Sequence, residues 1–304
     1  MFVAARQLDV AAHGGDRGMR GGVRARLDRL WRIAATGFCF VVFALFGLSV
    51  LCVFFPLFRL FSSNDVDSRL RVRSLVHRGM GWFTRIMVFC GTISYEVRHA
   101  EKLDRHGLLV VANHPSLIDV VLLLSLLRQP NCVVKASLKA NLFTRGPVRS
   151  AGFVVNSDGP QLIDECVASV RAGDNLIIFP EGTRSISHDG ILSPMKRGAA
   201  NIALRGRLAL TPVVITVSEP MLGKGQPWYR APQRRPHFVL TVMDDVAPPL
   251  FEGHATDEGE SGETGMQGRM ARALTRELAA LFEREICWAM PEPRAPGERA
   301  ASCV

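Results

Sequence analysis

No two of the seven cysteines (39, 52, 90, 132, 166, 287 and 303) stand in Cys-x-x-Cys spacing. That argues against the common zinc patterns and against a disulfide framework, and it fits a reducing compartment. No metal site is expected. No internal repeat is present, which removes the repeat architectures. Acidic residues are the scarcer charge: 37 Lys and Arg against 28 Asp and Glu leave +9 on 304 residues. A basic surplus suits either nucleic acid or anionic lipid head groups. No nucleic-acid recognition motif occurs, and the arginines gather on both sides of apolar segments, so the expected partner is a membrane.

Charge of either sign is missing altogether between Ile33 and Phe58, a run of 26 residues bounded by Arg32 and Arg59. At ~1.5 Å per residue a helix of that length spans about 39 Å, enough to cross a ~30 Å hydrocarbon core with tilt. The run is too long for a signal-peptide core and has no small-residue cleavage site. Pro56 and Ser62-Ser63-Asn64-Asp65 mark a turn after it. A second helix is expected over Asp67 to Cys90, with Val72, Val76, Phe83, Met87 and Cys90 near one face. Arginines 69, 71, 73, 78 and 85 share it, the pattern of a helix lying in a membrane interface. Two placements fit: a transmembrane helix followed by an interfacial one, or a two-helix membrane hairpin dipping into one leaflet. Seven arginines before the run and six after it by position 85 do not orient it.

The remaining ~210 residues suit one α/β domain. Strands are expected at 93–98, 108–112, 131–135, 153–155, 176–179, 210–217 and 237–243. Helices are expected at 118–127, 161–171, 196–205 and 268–288. Their alternation predicts a mixed, largely parallel sheet covered by helices. The organisation that follows is an Arg-rich N-terminal segment (1–32), membrane-associated helices (33–90), the α/β domain (91–290) and a disordered tail (291–304). Within the domain, Glu252 to Gln267, rich in Gly, Glu and Thr, reads as a flexible loop.

Two short polar segments follow apolar strand-like runs. The first is Asn113-His114-Pro115-Ser116-Leu117-Ile118-Asp119, after Leu108 to Ala112. The second is Phe179-Pro180-Glu181-Gly182-Thr183-Arg184-Ser185, after Leu176 to Ile178. Chemistry in α/β folds gathers at such strand ends. Pro115 suits a first helical turn, which puts Asp119 one to one-and-a-half turns beyond His114. Asp119 can then bond one imidazole nitrogen and leave the other to take a proton from a hydroxyl. In the second segment Pro180 and Gly182 make a sharp exit, and Arg184 offers a planar fork for phosphate or carboxylate. Downstream, Lys196 and Arg197 add two more cations, read as a solvated basic turn that could face the same pocket.

Together these residues resemble the 1-acylglycerol-3-phosphate (lysophosphatidate) acyltransferase family. Its N-H-x4-D motif matches Asn113, His114 and Asp119; its F-P-E-G-T-R-S motif matches Phe179 to Ser185 without a gap. Its strand ending in Val/Thr-Pro-Val looks like Leu210-Thr211-Pro212-Val213-Val214, and its lysine-bearing stretch is similar to Lys135 to Lys139. The resemblance covers roughly residues 60–245. It implies an O-acyltransferase of phospholipid synthesis, with His114 as general base on the acceptor hydroxyl and Asp119 holding its tautomer. It also implies that Asn113, Glu181, Gly182, Thr183, Arg184 and Lys139 bind substrate, Arg184 on a phosphate. No cofactor is needed, since acyl-CoA or acyl-carrier protein enters as the acyl donor. The tetrahedral oxyanion needs donors, for which backbone N–H groups near a helix start are candidates. Because the thioester is made in the cytosol, the catalytic domain is expected on the cytoplasmic face of a membrane, a bacterial inner membrane being the natural setting.

One family feature is missing. Where an Asp-Arg pair is usual, this chain has Gly152-Phe153-Val154-Val155-Asn156-Ser157-Asp158. Lys139, Arg145 or Arg149 is then expected to compensate, or the acceptor lacks a glycerol-phosphate head group. Besides lysophosphatidate, the acceptor readings include a lyso-amino-lipid. A non-catalytic lipid-binding relative and a hydrolase using the same His–Asp pair form the other function class. Intact His114, Asp119 and Glu181 argue against the former, and Arg184 against the latter.

Overall fold

A computed structural model describes residues 14–156, 160–184, 193–249 and 260–289. The first 13 residues of the Arg-rich segment, Ser157 and Asp158 of the departing run, Ser185 and the expected tail lie outside them. All seven expected strands form: β1 (Ser94–Arg98), β2 (Leu109–Ala112), β3 (Pro130–Lys135), β4 (Val154–Asn156), β5 (Asn175–Ile178), β6 (Leu210–Val217) and β7 (His237–Val242). They make one sheet in the order β1-β7-β6-β2-β5-β3-β4. Every neighbouring pair is parallel except β6 and β7.

The central strands β2 and β5 are buried at every position, as continuous apolar runs demand when helices cover both faces. The pleat sorts their side chains. Val110, Ala112, Ile177, Val213 and Ile215 enter one core, beneath α3 (Asp65–Phe89) and α4 (Ile118–Leu126). Leu109, Val111, Leu176, Ile178, Leu210 and Val214 enter the other, beneath α7 (Pro160–Arg171), α8 (Gly198–Gly206) and α9 (Glu260–Ala289). Two short helices between β3 and β4, α5 (Ala136–Ala140) and α6 (Arg145–Ser150), complete the order. The expected loop is corrected over part of its length. Residues 260–267 are the first turns of α9, carried by its buried stripe of Ala271, Leu274, Leu278, Phe282 and Ile286.

The N-terminal helices pair as a hairpin. α1 (Gly14–Ser49) passes through a π-helical turn at Val50–Phe54 into α2 (Phe55–Phe61). After the turn, Asn64 accepts from Asp67 N at 2.8 Å and caps α3. The helices run antiparallel. Trp31 Nε1 donates to Cys90 O at 3.0 Å at the open end, and Phe43 meets Phe83 with ring centroids 5.6 Å apart. A Cβ on Gly79 would lie 2.2 Å from the Phe46 ring, so glycine is what lets these helices touch. Among the described residues one helix, Arg26–Phe61, is long and apolar enough to cross a membrane, and only 17% of its most apolar 18-residue stretch is buried.

The expectation for α3 needs one correction. Val72, Val76, Met80 and Met87 face the sheet-side core, and Arg73 is no head-group arginine. It is buried, ion-paired with Asp174 before β5, and donates from Nε to Ala151 O at 2.8 Å. Ser169 Oγ donates to the other Asp174 oxygen at 2.6 Å and accepts from Asn131 Nδ2 at 2.7 Å. α1 is fixed as firmly: a Cβ on Gly47 would strike Phe143 O, and one on Gly146 would strike Leu51 and Gly47 O. The hairpin is therefore one of the two layers that clothe the sheet. Cys39, Cys52, Cys90, Cys132 and Cys166 are free thiols; Cys287 is disulfide-bonded, so the argument against a disulfide framework does not extend to this one cysteine.

Candidate active site

β2 and β5 are parallel neighbours, so the segments that leave their C-terminal ends meet. Asn113 ends β2 facing inward, and its amide makes two bonds with β6. Nδ2 donates to Ile215 O and Oδ1 accepts from Ile215 N, both at 2.7 Å. Its polar atoms are spent on backbone, which fixes the take-off of His114. The His114 N–H donates to Glu181 Oε1 at 3.0 Å, and the second Glu181 oxygen accepts from Ser193 N at 3.2 Å. Buried Glu181 thus ties the β2 exit to both ends of the loop that follows β5.

His114 Nδ1 lies 3.0 Å from Asp119 Oδ2, and the same oxygen accepts from Ser116 N at 2.7 Å. The ring stacks on Phe179 with centroids 4.2 Å apart. Asp119 is wholly buried, and burial pushes its carboxyl above the usual carboxylate range, against the downward pull of His114 and the Ser116 N–H. With Nδ1 held by this carboxylate, Nε2 is the ring nitrogen available for proton transfer.

A third segment closes the site: the loop between β6 and β7. Ser116 Oγ donates to Met221 O at 2.7 Å, Leu117 N to Leu222 O at 3.3 Å, and Arg184 Nη1 to Leu222 O at 2.7 Å and Gly223 O at 3.2 Å. Gly182 has φ +65°, a conformation glycine adopts freely. A side chain there would also meet Lys196, whose Nζ lies 3.1 Å from the position of a Cβ. Lys196 N donates to Pro180 O at 2.8 Å, so this cation of the basic turn does reach the site. Asn113, His114, Asp119, Glu181, Gly182 and Arg184 come together as the motifs anticipate, with Thr183 half-buried between the last two. Lys139 stands apart on α5, exposed, and Arg145 and Arg149 lie on α6.

Near the start of α4, the candidate place for oxyanion donors, four backbone N–H groups are engaged within the protein. The N–H groups of His114, Ser116, Leu117 and Ile118 all have partners already: Glu181, Asp119, Leu222 and Ser116 Oγ. Sequence reasoning also missed the stacking role of Phe179, the carbonyls of Leu222 and Gly223, and a cavity of about 620 Å³ with almost wholly apolar walls. Leu117 and Ile118, between the two dyad residues, line it together with Met221 and Leu222. From there it runs between the hairpin and the sheet, past Val121, Cys132, Val134, Phe153 and, on the hairpin, Cys39, Met80 and Phe83.

Residues 94–216 match the family model described as Acyltransferase. Over this segment the chain is similar to acyltransferases. Its motifs, its dyad and β6 up to Thr216 fall inside the match. The chain is 30% identical over 149 residues to human 1-acyl-sn-glycerol-3-phosphate acyltransferase beta, covering 44% of this chain and 51% of that one. To 1-acyl-sn-glycerol-3-phosphate acyltransferase of Saccharomyces cerevisiae it is 29% identical over 142 residues, 44% and 46% of the two chains. The chain thus spans about half the length of these curated relatives. The chain shares the fold of the crystal structure of 1-acyl-sn-glycerophosphate (LPA) acyltransferase, PlsC, from Thermotoga maritima. The TM-score is 0.59 at 22% identity, over 88% of this chain and 100% of that one.

Proposed function

We propose that the protein is a membrane-bound O-acyltransferase that moves a fatty acyl group from acyl-CoA or acyl-carrier protein to the hydroxyl of a lysolipid, 1-acylglycerol-3-phosphate foremost, giving phosphatidate. The observation that carries this reading is the His114–Asp119 pair on a segment whose Leu117 and Ile118 line an apolar cavity and whose Leu117 N–H shares the Leu222 carbonyl with Arg184. His114 Nε2 takes the proton of the acceptor hydroxyl as its oxygen attacks the thioester carbonyl. The tetrahedral oxyanion then collapses, the C–S bond breaks, and the leaving thiolate takes up the proton from His114, which returns to its neutral form. Asp119 holds the ring and stabilises the imidazolium, as buried carboxylates do in triads. The cavity takes an acyl chain. Arg184, assisted by Lys196 across Gly182, takes the acceptor's phosphate and supplies the cation that the departing run lacks.

Attachment is monotopic. Domain contacts follow α1 through Arg32, Gly37, Phe40, Gly47 and Leu51, so no ~20-residue stretch is left free to cross alone. Exposed Phe38, Val41 and Leu45 of α1, Val53 of the π-helical turn, and Leu57 and Leu60 of α2 form one outer face. That face sinks into one leaflet while the domain stays on the cytoplasmic side, where the thioester is made.

Membranes carrying the protein, a labelled acyl thioester and a panel of lysolipids test the reading, with His114→Ala alongside. Wild type is expected to form labelled diacyl product and the variant to fall by ~10³-fold or more. Release of free fatty acid alone would make the protein a hydrolase, and product formation by His114→Ala would remove the proposed base. Arg184→Ala should raise the apparent KM for phosphate-bearing acceptors only; an equal rise for phosphate-free lysolipids ends its phosphate role.

A further inference from the structure

We infer that the loop between β6 and β7, residues 218–236, is a second membrane-contacting element, with Trp228, Tyr229 and Arg230 seated in the interfacial layer of the bilayer. This rests on the membrane reading above and goes beyond the hairpin that suggested it. The loop presents Trp228 at 48% and Tyr229 at 58% exposure, followed by exposed Arg230. Two large aromatics held out of the protein are costly in water and are the side chains that favour the boundary between acyl chains and head groups.

Their placement is built, not incidental. The Arg230 N–H bonds Pro227 O at 3.0 Å, and the Ala231 N–H bonds Tyr229 O at 2.9 Å, a turn that pushes the two rings outward. Trp228 stands edge-on to Phe40 of α1 (centroids 6.3 Å) and to Tyr229 (5.9 Å), and its ring covers Gly37 at 3.2 Å from a Cβ position. The aromatic patch is thereby continuous with the exposed Phe38 and Val41 of the apolar helix. The rest of the loop is bolted to the hairpin's open end. Arg32 donates to Pro232 O and Gln233 O, and Arg235 donates to Ile93 O at 2.6 Å and Val88 O at 2.9 Å.

Chemistry identifies the occupant as a bilayer and not a protein. At the open end of the hairpin the amphipathic rings of Trp31, Trp228 and Tyr229 stand among exposed apolar side chains, Leu27, Leu30 and Phe89. Exposed cations accompany them: Arg29, Arg230 and Arg234. Aromatic rings mixed with apolar side chains and arginines are the set that the interfacial layer of an anionic leaflet accepts. The loop's other end, Met221 to Gly223, bonds Ser116, Leu117 and Arg184. Seating Trp228 therefore fixes the height of Arg184 above the acyl chains.

The test uses the full chain with Trp31, Trp82 and Trp288 changed to Phe, leaving Trp228 as sole emitter. It is reconstituted in vesicles of phosphatidylglycerol and phosphatidylcholine brominated near the glycerol end of its acyl chains. A second chain, with Trp228→Phe added and Val41→Trp as emitter, reports the hairpin. Trp228 emission is expected to fall by about half and its acrylamide quenching to be several-fold weaker than that of free tryptophan, as for interfacial rings. If Val41→Trp is quenched by bromine while Trp228 is not and stays open to acrylamide, the loop faces water and the inference is overturned with the hairpin still in the membrane. If neither is quenched, the membrane reading itself fails.

Discussion

At the scale of single residues, Asp119 carries the most consequence. It is wholly buried, one of its oxygens accepts from Ser116 and His114, and no partner reaches the other among the described residues. Burial raises its pKa, so between the ordinary carboxylate value and the raised one the folded chain holds a proton that the unfolded chain has released. Stability therefore falls as pH climbs through that interval and stays lower above it. Asp119→Asn removes the penalty. Its denaturation midpoint should exceed that of wild type at pH 7–8, and the two should converge below about pH 4. The same change presents His114 with an amide, loses the negative charge that stabilises imidazolium, and should lower turnover by ~10²–10⁴-fold. Chemical denaturation at several pH values beside a rate assay measures both; equal midpoints at every pH would sink the account. His114 and Asp119 were legible in the sequence through the spacing of the motif, but not through a helix starting at Pro115: α4 begins at Ile118, Pro115 lies in the bend before it, and Asp119 in the first turn reaches back to Ser116 N. Asn113 was legible only as a member of the motif, since its partners are backbone atoms of Ile215, 102 positions away.

At the scale of elements, the strands could be read because buried parallel strands are uninterrupted apolar runs, and the four longer helices because they are periodic or wholly apolar. α5 and α6, five and six residues long, are too short to show a period. The orientation of α3 was illegible for another reason: its arginines looked alike in sequence, yet one of them, Arg73, turns inward to Asp174. Arg73→Ala should leave Asp174 buried with only Ser169 and cost about 3–5 kcal/mol. Arg71→Ala, an exposed partner of Asp67, should cost below about 1 kcal/mol. Thermal unfolding of the two variants side by side checks the contrast, which fails if they melt together. The loop between β6 and β7 escaped notice because what it offers the site is carbonyl oxygens, and any residue carries those.

At the scale of the whole molecule, the cavity has walls from both the hairpin and the sheet layer, with Cys39, Met80 and Phe83 on one side and Val121, Val134 and Phe153 on the other. Val134→Phe adds bulk to this shared wall and should shift donor preference to shorter acyl chains while leaving the rate with the shortest donor nearly unchanged. A competition among thioesters of graded length reads this directly, and a uniform loss at all lengths would count against the cavity as the acyl site. The shared core also has a consequence in time. The hairpin is complete at Phe89, but β6, whose Val213 and Ile215 pack in the hairpin's core, ends at Val217. At cellular synthesis rates that gap lasts on the order of ten seconds. Through it the nascent hairpin has an inner face that the sheet has yet to cover, so under the proposed attachment the bilayer would also shelter that face while the ribosome catches up.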